Sequence, residues 1–197
     1  MALHSLVIVQ GRIRNKAFMS RVGKQPIAIP PGVEVKMTGS VLSVKGPKGV
    51  LTLAIPGDLQ AKVEAGKLLL SIDRPDDPKL GAWHGLFRSL AANMVEGVVK
   101  GYAKELEIQG VGFKAAVQGK KMVFSLGFAK PVEKTIPDGV DVKVTENVKL
   151  LVSGPDKQRV GDLAASIKAL FPAEPYKGKG IRFKGEHVRR KVGKTVA

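Results

Sequence analysis

Residues 33–37, Val-Glu-Val-Lys-Met, alternate apolar and charged side chains, and residues 41–45, Val-Leu-Ser-Val-Lys, alternate again. A period of two marks a strand with one face on a core and the other in water, so both stretches are predicted strands. Gly46-Pro47-Lys48-Gly49 reads as a turn, and residues 50–55 resume strand. Farther on, Leu106-Glu107-Ile108, residues 114–117 and residues 122–126 repeat the alternation, with Gly119-Lys120-Lys121 as a hairpin connection. Between and after these sets the period lengthens. Leu80, Trp83, Phe87, Leu90 and Met94 fall three or four apart and predict a helix with one apolar face, stopping at Gly97. Val160, Leu163, Ala164, Ile167 and Leu170 predict a second helix, ended by Pro172. Asp76 or Asp77 is the expected cap of the first helix, with Pro78 in its first turn, and Asp156 caps the second.

The two sets look like one unit used twice. Lys67-Leu68-Leu69-Leu70, Pro75-Asp76 and Lys79-Leu80-Gly81 recur in the same order as Lys149-Leu150-Leu151-Val152, Pro155-Asp156 and Arg159-Val160-Gly161. Ile55-Pro56 and Ile136-Pro137 stand upstream of each. A repeat of this length is too long for a solenoid and points to two paralogous domains. Short antiparallel strands followed by one helix per unit predict an α+β architecture, each helix covering one face of a small sheet. The expected division is an extension and arm over 1–28, domains over 29–100 and 101–174, and a glycine-rich tail over 175–197.

Charge separates these parts. The chain carries a net +16. Residues 1–28 hold five basic residues and no acid, and residues 172–197 hold eight basic residues against Glu174 and Glu186. The body between them is close to balanced. Basic ends on a near-neutral body suit a polyanionic partner, because lysine and arginine displace condensed counterions from phosphates. Four glycines among the charges after Pro172 argue against a core there and for close approach of the backbone to a partner. The absence of cysteine excludes disulfides and thiolate chemistry, and no apolar run approaches the ~20 residues that span a bilayer. No membrane partner is expected. Residues 1–18 read as an upstream extension or a start-site assignment. Their basic, acid-free stretch from Arg12 to Lys16 also fits an organellar presequence, a lesser reading beside a cytoplasmic one.

Candidate chemistry is sparse. Gly110-Val111-Gly112-Phe113-Lys114-Ala115 matches a dinucleotide fingerprint in letters, but alternation follows it where a helix is required, so a bulge or tight turn is the better reading. Gly46-Pro47-Lys48-Gly49 lacks the spacing of a phosphate-binding loop. His4, His84 and His187 are scattered, which argues against a metal site, and no nucleophile–base set is present. No catalytic residues, cofactor, metal or small-molecule substrate are expected. Trp83 and Phe87 read as core. Tyr176 and Phe183 lie among lysines and glycines, where they would stack on a base or pack against the second domain.

Three stretches carry a family resemblance: residues 19–27, Met-Ser-Arg-Val-Gly-Lys-Gln-Pro-Ile; residues 127–132 before Ile136-Pro137; and residues 175–182, Pro-Tyr-Lys-Gly-Lys-Gly-Ile-Arg. The chain resembles the family of the sixth large-subunit ribosomal protein of bacterial type, from Met19 to Lys194. Residues 1–18 have no counterpart in that pattern, and Lys130 stands where the family often has histidine. The resemblance implies two similar α+β domains and no catalysis. It implies binding to large-subunit rRNA, mainly through the second domain and tail, and neighbouring large-subunit ribosomal proteins as partners. It also implies a place near the stalk base and the docking region of translational GTPases. The expected RNA contacts are Tyr176, Lys177, Gly178, Lys179, Gly180, Arg182, Lys184, Arg189, Arg190, Lys191 and Lys194, then Lys157 and Arg159 at the start of the second helix, and Arg21 and Lys24 on the arm. Replacing Arg182 is expected to weaken binding without altering the fold. A DNA-binding architectural protein with basic arms is the alternative, and an enzyme using the Gly110 turn is a further rival.

Overall fold

The computed structural model describes residues 21–64, 66–72 and 77–194. The extension over 1–18, His4 and the Asp76 cap lie outside these residues. The first domain opens with β1 (Ile27–Ala28) and a meander of β2 (Glu34–Thr38), β3 (Val41–Gly46) and β4 (Gly49–Ala54). β5 (Leu59–Glu64) and β6 (Lys67–Ile72) follow, then α1 (Pro78–Val99). The second domain repeats the series: β7 (Tyr102–Gln109), β8 (Lys114–Gln118), β9 (Lys121–Ser125), β10 (Val132–Thr135), β11 (Asp141–Thr145), β12 (Lys149–Gly154) and α2 (Lys157–Leu170). One strand more, β13 (Gly180–Phe183), ends the described elements.

Each domain pairs its first, sixth and fifth strands into one antiparallel sheet and its second to fourth into a meander. The duplication read from the sequence is therefore a duplication of topology. Alternation decides which face is inward. Leu42 and Val44 of β3 are buried while Lys45 points out, and Met122 and Phe124 of β9 are buried between exposed Lys121 and Ser125. Two separate cores result, one packed under α1 and one under α2.

The predicted turns hold. Gly46 pairs with Gly49 across the β3–β4 hairpin, and Gly119-Lys120 link β8 to β9. The Gly110 stretch is a tight connection between β7 and β8, with Gly112 at φ +80° and Val111 96% exposed, and no helix follows it. The helix caps are Asp77, accepting from the Lys79 amide at 2.9 Å, and Asp156, accepting from the Gln158 amide at 2.9 Å.

Three expectations need correction. Gly97 does not stop α1, which continues to Val99 before Gly101 turns away at φ +74°. Trp83 is 41% exposed and outside the core, whereas Phe87 packs against the first core and buried His84 takes the inward place on that stretch of helix. The stripe is rotated because His84 hydrogen-bonds through Nε2 to the Leu70 carbonyl at 2.9 Å, giving the ring a polar anchor inside. The chain after Pro172 does build core: Ile181 on β13 is 0% exposed in the second core. The composition of that stretch hides a short strand whose pairing partner, β7, lies far back in the sequence at the start of the domain.

Gly97 has another role. A Cβ placed there would collide with the Pro155 carbonyl oxygen, so the two domains meet at a contact only glycine permits. The joint continues in Lys157 Nζ, 3.1 Å from Asn93 Oδ1 and 5.6 Å above the Tyr102 ring, and in the Tyr102 hydroxyl, which donates to the Asn93 carbonyl at 3.0 Å. Burial, and then the nearby Glu96 carboxylate, push the Tyr102 hydroxyl up to about 12, so it stays a donor at physiological pH. Beside the joint, within the first domain, Lys48 donates to the Lys100 carbonyl at the end of α1.

Two substitutions separate this joint from ordinary helix propensity. Gly97→Ala should destabilise by about 1–3 kcal/mol, as overpacking does, and lower the melting temperature. Gly161→Ala, in the interior of α2 where an added Cβ meets nothing within 4 Å, should stabilise by roughly 0.5–1 kcal/mol. Thermal melts that moved the same way for both would contradict the tight joint.

Candidate nucleic-acid interface

The C-terminal segment is an ordered piece of the second domain. After α2, Phe171 sits edge-on to Phe113 and Phe128, with ring centroids 5.2 and 5.8 Å away, which fixes where the segment starts. The chain then loops out and returns. The Glu174 amide donates to the Lys179 carbonyl at 2.9 Å, and the Ile181 amide donates to the Phe171 carbonyl at 2.8 Å. Gly180, at φ +137°, lies so close to Pro172 and Ala173 that a Cβ would approach their backbone to 2.7 Å. That glycine admits the chain's own backbone, where the sequence suggested a foreign one.

β13 pairs antiparallel with β7, placing Arg182 opposite Glu107. Arg182 Nη2 lies 3.3 Å from Glu107 Oε2, and Lys184 Nζ 2.5 Å from Glu105 Oε2, which raises the Lys184 ammonium above its ordinary value. These two cations zip β13 to the sheet. Arg182 is half-buried and paired with Glu107, so the side chain expected to meet RNA is also part of the sheet edge. After β13 the chain turns at Glu186. Its Oε1 takes a hydrogen bond from Lys168 Nζ at 2.5 Å and its Oε2 one from the Phe183 amide at 3.0 Å. These two donors, Lys168 first, hold the Glu186 carboxyl below the ordinary glutamate range. The segment then runs back along its own beginning, the Lys191 amide donating to the Pro175 carbonyl at 2.8 Å.

The remaining cations project outward. Lys177, Lys179, Arg189, Arg190, Lys191 and Lys194 are exposed, and none has a carboxylate within ion-pair distance among the described residues. Tyr176 stands beside them, 57% exposed. Gly178 is buried beneath the Arg190 side chain. Phe183 takes the packing alternative, partly buried against the second core with Lys168 Nζ 5.1 Å from its ring centre. Lys157 and Arg159 are not part of this group. Lys157 serves the interdomain joint, and Arg159 bonds Asp156 at 3.4 Å and the Asp138 carbonyl at 2.9 Å. Arg21 and Lys24 sit exposed on the arm, which is itself held: Gly23 abuts the His84 ring, and Arg88 Nε donates to the Gln25 carbonyl at 3.2 Å.

Periodicity missed Lys168, Glu105 and Glu107 as parts of this site. Each meets its partner from a distant part of the sequence, and no local spacing announces such pairs. What results is a folded, cation-rich edge suited to a phosphate backbone.

Glu186 offers a pH test. A carboxyl whose folded value lies below its unfolded one stabilises at pH above the unfolded value, and that stability is lost as pH falls through the folded value. Glu186→Gln should therefore cost about 1 kcal/mol at neutral pH, the scale of one partly exposed ion-pair network. The gap to wild type should close below the ordinary glutamate range. A gap constant from neutral pH down to pH 3, in denaturant titrations, would exclude this role.

Comparison with known proteins follows the same division. A family model described as Ribosomal protein L6 matches residues 29–101 and again 109–184, the second match including β13. The chain is 50% identical over 178 residues to the large ribosomal subunit protein uL6 of Synechocystis sp., covering 90% of this chain and 98% of that one. It is 50% identical over 180 residues to the protein of the same name from Moorella thermoacetica, covering 91% and 97%. It is 49% identical over 178 residues to that of Listeria monocytogenes, covering 90% and 99%.

Proposed function

The chain belongs to the ribosomal protein L6 family, and on that footing we propose that it is a structural, non-catalytic constituent of the large ribosomal subunit that binds large-subunit rRNA. One observation supports the RNA contact above the rest: six cations of the C-terminal segment stand exposed, without a carboxylate in ion-pair reach among the described residues, on a backbone held by β13 and Glu186. A fixed row of charges loses less entropy on binding than a floppy tail does. Double-helical RNA hides its base edges in a deep, narrow groove, so recognition rests on phosphate spacing and backbone shape, with Tyr176 free to stack on an unpaired base. Arg21 and Lys24 are proposed as a smaller contact on the arm. Neighbouring large-subunit proteins are its other proposed partners. The cytoplasm is its proposed compartment. A site near the stalk base and the docking region of translational GTPases is part of this proposal and rests on the family resemblance.

If about six cations of this segment meet phosphates, log K for large-subunit rRNA should fall with log salt at a slope of about −5. Truncation before Pro175 is a poor test, because it also removes Ile181 from the core. Replacing Lys177, Lys179, Lys191 and Lys194 together by alanine leaves β13 intact and should lessen the slope by about 4. An unchanged slope, in filter-binding or fluorescence titrations, would remove this segment from the interface. Duplex DNA at equal phosphate concentration should compete poorly, and equal competition would favour an architectural DNA-binding protein.

A further inference from the structure

Along α1, Lys79, Trp83, Leu86, Leu90, Asn93 and Gly97 are spaced by four and three residues in turn, so they form one stripe down the helix. One end of that stripe is the interdomain joint, where Asn93 meets Lys157 and Gly97 meets the Pro155 carbonyl. The other end is uncovered: Trp83 is 41% exposed and Leu86 52%. Between the two ends, the cleft between the domains holds a pocket of about 340 Å³. Leu51, Leu53, Leu90 and Met94 of the first domain make its apolar wall, and Asp156, Lys157 and Gln158 of the second make a polar one.

The repeat shows that the fold does not require this exposure. At the 80-residue offset Trp83 corresponds to Leu163 and Leu86 to Ser166. Leu163 is 4% exposed in the second core, and the Ser166 hydroxyl donates to the Leu163 carbonyl at 2.8 Å. The first copy instead carries a larger apolar pair there and leaves it bare. A lone exposed leucine is ordinary, but a Trp–Leu pair running into an apolar pocket marks a contact site. Aliphatic walls suit the side chains of another protein, whereas a base would find a stacking platform only at Trp83. The charges narrow the partner further. Lys79 stands exposed one turn before Trp83, and Lys157 stands exposed at the far end. Neither has a carboxylate in ion-pair reach among the described residues. The Lys157 ammonium has three donors and gives one to Asn93. Asp156, the single carboxylate in the pocket lining, is taken by the Gln158 amide and by Arg159. We infer that this groove docks an apolar segment, bearing acidic residues, of a neighbouring large-subunit protein. Trp83 and Leu86 anchor it, and Lys79 and Lys157 pair with its carboxylates. The contact continues the interdomain joint outward, so its occupant touches both domains.

This inference rests on the large-subunit reading, and the test keeps the two apart. In the full chain, Leu86→p-benzoylphenylalanine should photo-cross-link, within purified large subunits, to a protein segment that mixes apolar and acidic residues. A cross-link to rRNA would make this face an RNA contact, and one to residues 1–18 would make it a seat for the chain's own extension. Either of these, a protein segment without acids, or no cross-link at all overturns the inference while the large-subunit reading stands. A chain absent from purified subunits defeats that reading, and the choice of partner with it. Trp83, the only tryptophan in the chain, gives a second readout. With the free chain, a peptide of alternating leucine and glutamate should move its emission to shorter wavelength, and a leucine–lysine peptide should not. Leu86→Lys should weaken that response roughly tenfold. It should leave the melting temperature unchanged, because Leu86 lies outside both cores. Equal responses to the two peptides, or none to either, would overturn the docking groove.

Discussion

The pairing of β13 with β7 is the interaction on which the rest of the C-terminal half depends. A short strand with buried Ile181 inside it converts a lysine- and glycine-rich stretch into the edge of a sheet. Two of its cations face Glu105 and Glu107 and so serve the pairing. The others are left displayed at defined positions because the strand beneath them cannot move freely. Without this pairing the basic residues would be a solvated tail with the same charge and no geometry.

Several glycines serve close approach to the protein itself, and three of them shape the joint, the arm and the C-terminal segment. Gly97 admits the Pro155 carbonyl between the domains, Gly180 admits the Pro172–Ala173 backbone, and Gly23 admits the His84 ring. A glycine-rich basic sequence is commonly read as a flexible ligand for nucleic acid. Here the glycines let a small domain fold tightly around its own turns, and the charged side chains are what remains for a partner. The interdomain joint works by the same means, since Lys157, Asn93 and Tyr102 form a hydrogen-bonded patch beside the Gly97–Pro155 contact.

The family match and the internal repeat agree on the same units, and β13 is where the two domains differ. In the second domain it occupies the edge of the strand equivalent to β1. A duplicated scaffold thus carries, on one copy, an added strand that brings the basic segment with it. That asymmetry is the physical basis for proposing the principal RNA contact on the second domain.

Much of the fold was legible beforehand because it rests on local rules. Alternation marked β3 and β9, Asp156 and the Asp76-Asp77 pair announced the helices by capping, Gly119 announced its hairpin, and the recurrence of Lys-Leu-Leu implied the doubled topology. The cationic character of the ends was legible too, since net charge needs no coordinates. What tertiary structure alone decided was which cations are free. Arg182 and Lys184 look like their neighbours in one dimension, and only the register of β13 on β7 sets them opposite glutamates. Likewise Trp83 and His84 exchange the expected inside and outside places because a carbonyl on β6 waits for the imidazole. Local sequence encodes torsional preference and periodicity, whereas partner choice across many residues is settled only when the chain closes on itself.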